Sequence, residues 1–138
     1  MFANNIHLQE IHCNLDNLIT GTEMFIENDQ LESFTIDMPS LTNGDRMFQG
    51  CGTLKTFFSN MGNLQSAIDI FNGCKLQPES LLVLLDNIPD VENGDLGTLS
   101  IDGSLPEEEY TNTLFVNTLG DIVSLFKEKG WSVTLQAN

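Results

Sequence analysis

Apolar residues in the first half of the chain recur at a long fixed interval. A Met-Phe or Ile-Phe pair opens at Met1, Met24, Met47 and Ile70, a spacing of 23 residues with no slip. Numbering each copy from its first residue aligns the other apolar positions in columns. Column two is Phe2, Phe25, Phe48 and Phe71. Column eight is Leu8, Leu31 and Leu54, and column eleven is Ile11, Phe34 and Phe57. Column fifteen is Leu15, Met38 and Met61, and column eighteen is Leu18, Leu41 and Leu64. Column twenty-one holds Gly21, Gly44 and Ala67, small residues expected to serve a tight turn. One copy of this length cannot bury its own apolar face, so the copies are expected to stack, each column becoming a ladder along a shared core.

A period in the range of about 20–29 residues is the signature of a leucine-rich solenoid. Residues 8–13, 31–36 and 54–59 are predicted to form short parallel strands, with columns eight and eleven pointing inward. By alternation, columns ten, twelve and fourteen face outward. These are Glu10, His12 and Asn14; Ser33, Thr35 and Asp37; and Thr56, Phe58 and Asn60. This is the surface that a stacked-repeat protein offers to a partner. Column five reads Asn5, Asn28, Cys51 and Cys74, where a buried turn leaves backbone groups in need of partners. Cys51 and Cys74 are expected one unit apart, as reduced and buried thiols.

The period breaks after Leu76. Pro78 suits the first turn of a helix, and residues 79–87 place Leu81, Leu82, Leu85 and Ile88 on one broad face before Pro89 stops it. Residues 90–97 read as an acidic loop and residues 98–101 as a short strand. Ser104 and Glu107 have the capping-box spacing. Thr111, Phe115, Leu119, Ile122 and Phe126 follow at helical intervals, with Gly120 a candidate break between two helices. Lys127 and Lys129 suit the helix C-terminus, and Gly130 the position just past it. Trp131, Val133 and Leu135 alternate as a last strand. The expected fold is therefore α/β: a leucine-rich-repeat solenoid with short parallel strands and an α/β C-terminal cap. It forms one domain, with repeats at 1–23, 24–46 and 47–69, a partial repeat at 70–76 and the cap at 77–138.

Charge narrows the partners. The 138 residues carry 20 acids and 5 bases, a formal charge of −15, spread over both halves of the chain. Such a surface repels phosphate backbones, which argues against nucleic acid and anionic membranes. No apolar run approaches the ~20 residues of a membrane span, and the N-terminus has no signal-peptide pattern. Three cysteines without a CxxC pair make no disulfide framework.

Catalytic chemistry finds little footing. His7 and His12 are the two histidines, and no nucleophile or acid is spaced to form a triad with either. Asp86, Asp90, Glu92 and Asp95 surround one loop, but not at the spacing of a calcium-binding hand. The run of Glu107, Glu108 and Glu109 is explained by the positive end of a helix, since consecutive helix residues diverge. No cofactor or metal is expected, and no enzyme.

The pattern MFxxCxxLxxF…LxxL at this period resembles the BspA-type leucine-rich repeats of bacterial surface proteins. The block from Phe34 through Ile36, Met38, Pro39, Leu41, Gly44, Met47, Phe48 and Cys51 is similar to a subgroup in gut-bacterial and prophage-encoded proteins. The resemblance covers residues 1–76, and Lys129-Gly130-Trp131-Ser132-Val133 is similar to the close of the same proteins. It implies a recognition or adhesion module on a cell surface or virion, or one that is secreted, binding protein or glycan. A structural component of a larger assembly, with no external ligand, is the alternative. The first copy has an apolar rim with no unit above it. It is expected to be covered by a copy of the chain, by another protein or by upstream repeats.

Overall fold

The computed structural model describes residues 2–4, 8–101 and 119–136. From Phe2 to Leu76 the chain passes repeatedly over the same path, each pass lying parallel to the last. Isolated parallel bridges join Thr20 to Asn43 and Asn43 to Ser66, residues 23 positions apart. Strand β1 (Ser33–Phe34) pairs in parallel with β2 (Thr56–Phe57), Ser33 opposite Thr56.

The aromatic columns explain why this path is stable. Phe2, Phe25, Phe48 and Phe71 stack nearly face to face, with centroids 5.3, 5.3 and 5.6 Å apart. Phe34 and Phe57 form a second stack at 5.5 Å. The two ladders meet edge to face at 4.8 to 5.4 Å. Such pairs contribute roughly 0.5–1.5 kcal/mol beyond their area burial, so repetition at a fixed interval is rewarded at every step. Phe25, Phe34, Phe48, Phe57 and Phe71 are all fully buried.

Beside the rings, the backbone bonds between units run one way. The N–H groups of Phe2, Phe25 and Phe48 donate to the carbonyls of Met24, Met47 and Ile70 at 3.0, 2.9 and 2.9 Å. Those of Asn4, Glu27 and Gly50 donate to Ile26, Gln49 and Asn72 at 2.9, 2.7 and 2.8 Å. Column five completes the turn. Asn28 Nδ2 donates to the Phe2 carbonyl at 2.7 Å, Cys51 Sγ to that of Phe25 at 3.2 Å, and Cys74 Sγ to that of Phe48 at 3.1 Å. Each side chain thus satisfies a buried acceptor of the preceding unit. Both thiols are free. Burial pushes the Cys51 thiol up to about 11 and Cys74 well above the ordinary thiol range.

Two expectations about the units change. The strands are two residues long and residues 8–13 form none. After column twelve the links between units pass to side chains, with Ser59 Oγ donating to the Ile36 carbonyl and Asn60 N–H to Asp37 Oδ1. Column twenty-one is small for space and not for a left-handed backbone. A Cβ on Gly21 would come within 2.9 Å of the Met47 side chain, and one on Gly44 within 3.1 Å of Ile70 Cδ1. The left-handed residues flank the Phe column, at Glu23, Arg46 and Asp69 on one side and Asn4, Glu27, Gly50 and Gly73 on the other.

Strand β3 (Lys75–Leu76) begins the C-terminal part, followed by α1 (Pro78–Asn87), β4 (Gly94–Ile101), α2 (Leu119–Glu128) and β5 (Trp131–Gln136). The sheet order is β3-β4-β5, all parallel. The one-way ladder continues into it, Phe71 N–H donating to Leu96 and Gly73 N–H to Thr98. Helix α1 starts on Pro78 and turns its buried Leu81, Leu82, Leu84 and Leu85 to the core. It also closes the edge of β2 with one side chain. Ser80, fully buried, accepts from Phe57 N–H at 2.9 Å and donates to the Lys55 carbonyl at 3.0 Å. A hydroxyl thereby does what a further strand would do.

The expected acidic loop is shorter than residues 90–97, because β4 already begins at Gly94 under the Trp131 indole, where a Cβ would overlap the ring. Gly120 lies within α2 and does not break it. Lys129 serves the other helix: its Nζ donates to the Leu85 carbonyl at 2.8 Å, in the last turn of α1. Gly130 is left-handed, with φ +88°, and a Cβ there would overlap the Val91 carbonyl. The Ser104/Glu107 capping box, the run from Glu107 to Glu109, and Thr111 and Phe115 lie outside the described residues. Among the described residues no helix is long and apolar enough to cross a membrane.

Candidate functional site

The polar face of the β1–β2 side brings the outward columns together. In β1 and β2, Phe34 and Phe57 are buried while Ser33 and Thr56, one residue earlier, are half-buried at the surface. Two residues on, Thr35 and Phe58 are exposed, Phe58 at 39%. Phe58 N–H donates to the Phe34 carbonyl at 3.0 Å, so the ring projects from backbone fixed by the neighbouring unit. In the first unit Glu10, His12 and Asn14 are exposed, and His12 Nε2 lies 3.2 Å from Glu10 Oε2.

Column fourteen has another task. Asn14 Oδ1 accepts from Asp16 N–H at 2.8 Å and Asn60 Oδ1 from Gly62 N–H at 3.0 Å, each a local turn two residues on. Asp37 cannot repeat this bond, because Pro39 has no N–H. Its carboxylate accepts from Asn60 N–H in the next unit instead, at 2.9 Å. Asn14, Asp37 and Asn60 therefore hold the turn, and columns ten and twelve carry the free surface. Thr56 is partly engaged as well, its Oγ1 3.4 Å from Gln77 Oε1.

Strict alternation missed a row. Gln9, Glu32 and Lys55 are all exposed beside column ten. With strands only two residues long, the backbone does not keep a period of two, and columns nine and ten both reach solvent. The polar character of column nine in every copy was the available signal. The face is thus a rigid platform with one exposed aromatic, hydroxyl groups from Ser33 and Thr35, and charges of both signs at Glu10, Glu32 and Lys55.

A second concavity lies at the C-terminal side. It is a cleft of about 660 Å³ lined by Ile68, Glu92, Asp95, Val123, Lys127 and Trp131, among others. Ile68 is 50% exposed there. Asp95 Oδ1 accepts from Gly97 N–H at 2.8 Å, so that carboxylate shapes the start of β4. Among the described residues no three His, Cys, Asp or Glu side chains converge on a metal-sized site, which includes the Asp86, Asp90, Glu92 and Asp95 group. His12 pairs with an acid but has no hydroxyl or thiol partner in its hydrogen bonding.

Comparisons with family models, curated proteins and solved structures return no match to the chain.

Proposed function

We propose that the chain is a leucine-rich-repeat solenoid of the BspA type, with repeats through residue 76 and an α/β cap beyond. In this reading it is a non-enzymatic recognition module, displayed on a bacterial surface or virion, whose polar repeat face binds protein or glycan. The observation that carries the reading is Phe58, an exposed aromatic on a polar face, held by backbone bonds to both sides of its unit. Binding energy concentrates on such anchors when polar groups surround them. Thr35 and Ser33 supply hydroxyls on one flank and Lys55 a cation on the other. A stacked core beneath the face lowers the ordering cost of binding.

The test compares the intact protein with Phe58→Ala and Thr35→Arg on glycan arrays and in pull-downs from host-cell surface fractions. Loss of at least tenfold in affinity, with unchanged melting temperature, supports the face. Full binding by both variants removes it. The second reading, a structural component of an assembly, draws on the apolar first unit: Phe2, Leu8, Ile11 and Leu18 are only half-buried while their counterparts in the next two units are buried.

A further inference from the structure

The first unit carries an unused set of bonds. In the second and third units, the N–H groups of Glu32 and Lys55, of Thr42 and Gln65, and of Asn43 and Ser66 all donate back to the preceding unit. Their counterparts in the first unit are Gln9, Ile19 and Thr20. The carbonyls of Asn43 and Ser66 accept from Gly21 and Gly44, and those of Asp45 and Ile68 from Glu23 and Arg46. Their counterparts are Thr20 and Thr22. None of these first-unit groups makes a hydrogen bond among the described residues. Beside them opens a cavity of about 360 Å³, walled by Phe2, Leu15, Leu18 and Met24. Ile19 is exposed next to it at 60%. Inner counterparts of the wall, Met38, Leu41 and Met47, are fully buried.

We propose that this end docks onto the β5 end of a second copy of the chain, head to tail. This goes beyond the binding-face reading and does not depend on it. Three observations choose the occupant. First, the turn ladder is polar: from Phe2 to Gly73 each unit gives N–H groups to the carbonyls of the unit after it. Two first units face to face would oppose carbonyl to carbonyl. A β5 edge, which presents N–H groups along a strand running in the same sense, supplies the missing donors. Second, the first 24 residues contain Glu10, Asp16 and Glu23 and no Lys or Arg, so paired first units repel. Residues 119–136 are balanced, with Asp121 and Glu128 against Lys127 and Lys129. Third, Leu125 and Leu135 on that side are half-buried apolar side chains able to enter the cavity. The contact is heterologous, so it propagates into a chain of copies and does not close into a dimer.

The test is sedimentation of three proteins over ~10 µM to ~1 mM, where mass action exposes a weak contact. Wild type should gain mass steadily with concentration. Ile11→Glu with Leu18→Lys blocks one end, and Leu125→Glu with Leu135→Lys blocks the other. Each variant alone should stay monomeric, and the mixture should give a one-to-one dimer and nothing larger. A wild type of constant mass overturns the proposal. So does an edge variant that still associates, or a mixture that stays monomeric. Should either variant fail to fold by circular dichroism, wild-type Cys13 provides the readout. It is exposed, lines the same cavity and is the one cysteine not buried. Its maleimide labelling should slow several-fold between the two concentrations, and an unchanged rate also overturns the proposal.

Discussion

Replacing Ser80 by Ala isolates the device that ends the stack. The hydroxyl bridges Phe57 N–H and the Lys55 carbonyl from inside α1, where it is fully buried. The two backbone groups are not equally dependent on it. The Lys55 carbonyl also accepts from Gln77 N–H at 2.8 Å, so it keeps a partner in the variant. Phe57 N–H has no other partner and is sealed between β2 and α1. A buried donor left without an acceptor costs about 1–3 kcal/mol. For a chain of this length that corresponds to a fall in melting temperature of about 5–10 °C. Ala keeps the helix and nearly the volume, so little else changes. Urea denaturation gives the free energy, and hydrogen exchange gives the site, since the Phe57 amide should lose protection before its neighbours. Glu79→Ala, exposed one residue away, is the control and should stay within about 0.5 kcal/mol of wild type. If Ser80→Ala unfolds at the same urea concentration as Glu79→Ala, the hydroxyl does not close the β2 edge.

Other consequences can be measured in the same way. Leu54→Ala opens a cavity in a fully buried column with units on both sides, and should cost ~2–5 kcal/mol. Gln65→Ala, exposed, should cost no more than about 0.5 kcal/mol, and equal midpoints would contradict the column register. The raised Cys51 and Cys74 thiols mean that the folded state keeps protons the unfolded state releases above pH 9.0. Their contribution is therefore complete below that pH and declines as pH climbs toward about 11 for Cys51, by up to ~1.4 kcal/mol per pH unit per thiol. A pH series of urea midpoints should show the decline, and Cys51→Ala should shallow it; identical slopes would contradict the assignment. Gly130→Ala should block the α2–β5 connection through overlap with the Val91 carbonyl, and a folded variant at wild-type midpoint would show that this turn tolerates a side chain.

The columns were legible in the sequence because a stacked repeat writes the same contact several times. Phe2, Phe25, Phe48 and Phe71 fall on one ladder for the reason that they recur: each ring needs a like ring above and below. Helix α1 was legible from Pro78 and the spacing of its leucines. What was not legible depends on single, unrepeated contacts. Ser80 is one serine in a helix, and nothing in its spacing points to Phe57. Lys129 sits at the end of α2 by sequence but reaches α1 in space. The outward face was read correctly at columns ten and twelve, where exposure follows from buried neighbours. Column fourteen misled because Asn and Asp look the same in sequence whether they face a partner or their own backbone. Column nine was lost to an alternation that two-residue strands do not sustain.

The most direct test of the binding-face reading is a hydrogen-exchange footprint of the protein with the first ligand captured from a glycan array or host-surface fraction. The reading predicts added protection at Thr35, Thr56 and Phe58 and in the Gln9, Glu32 and Lys55 row, with the cleft around Glu92 and Trp131 unchanged. Protection confined to that cleft, or to the first unit, would contradict it.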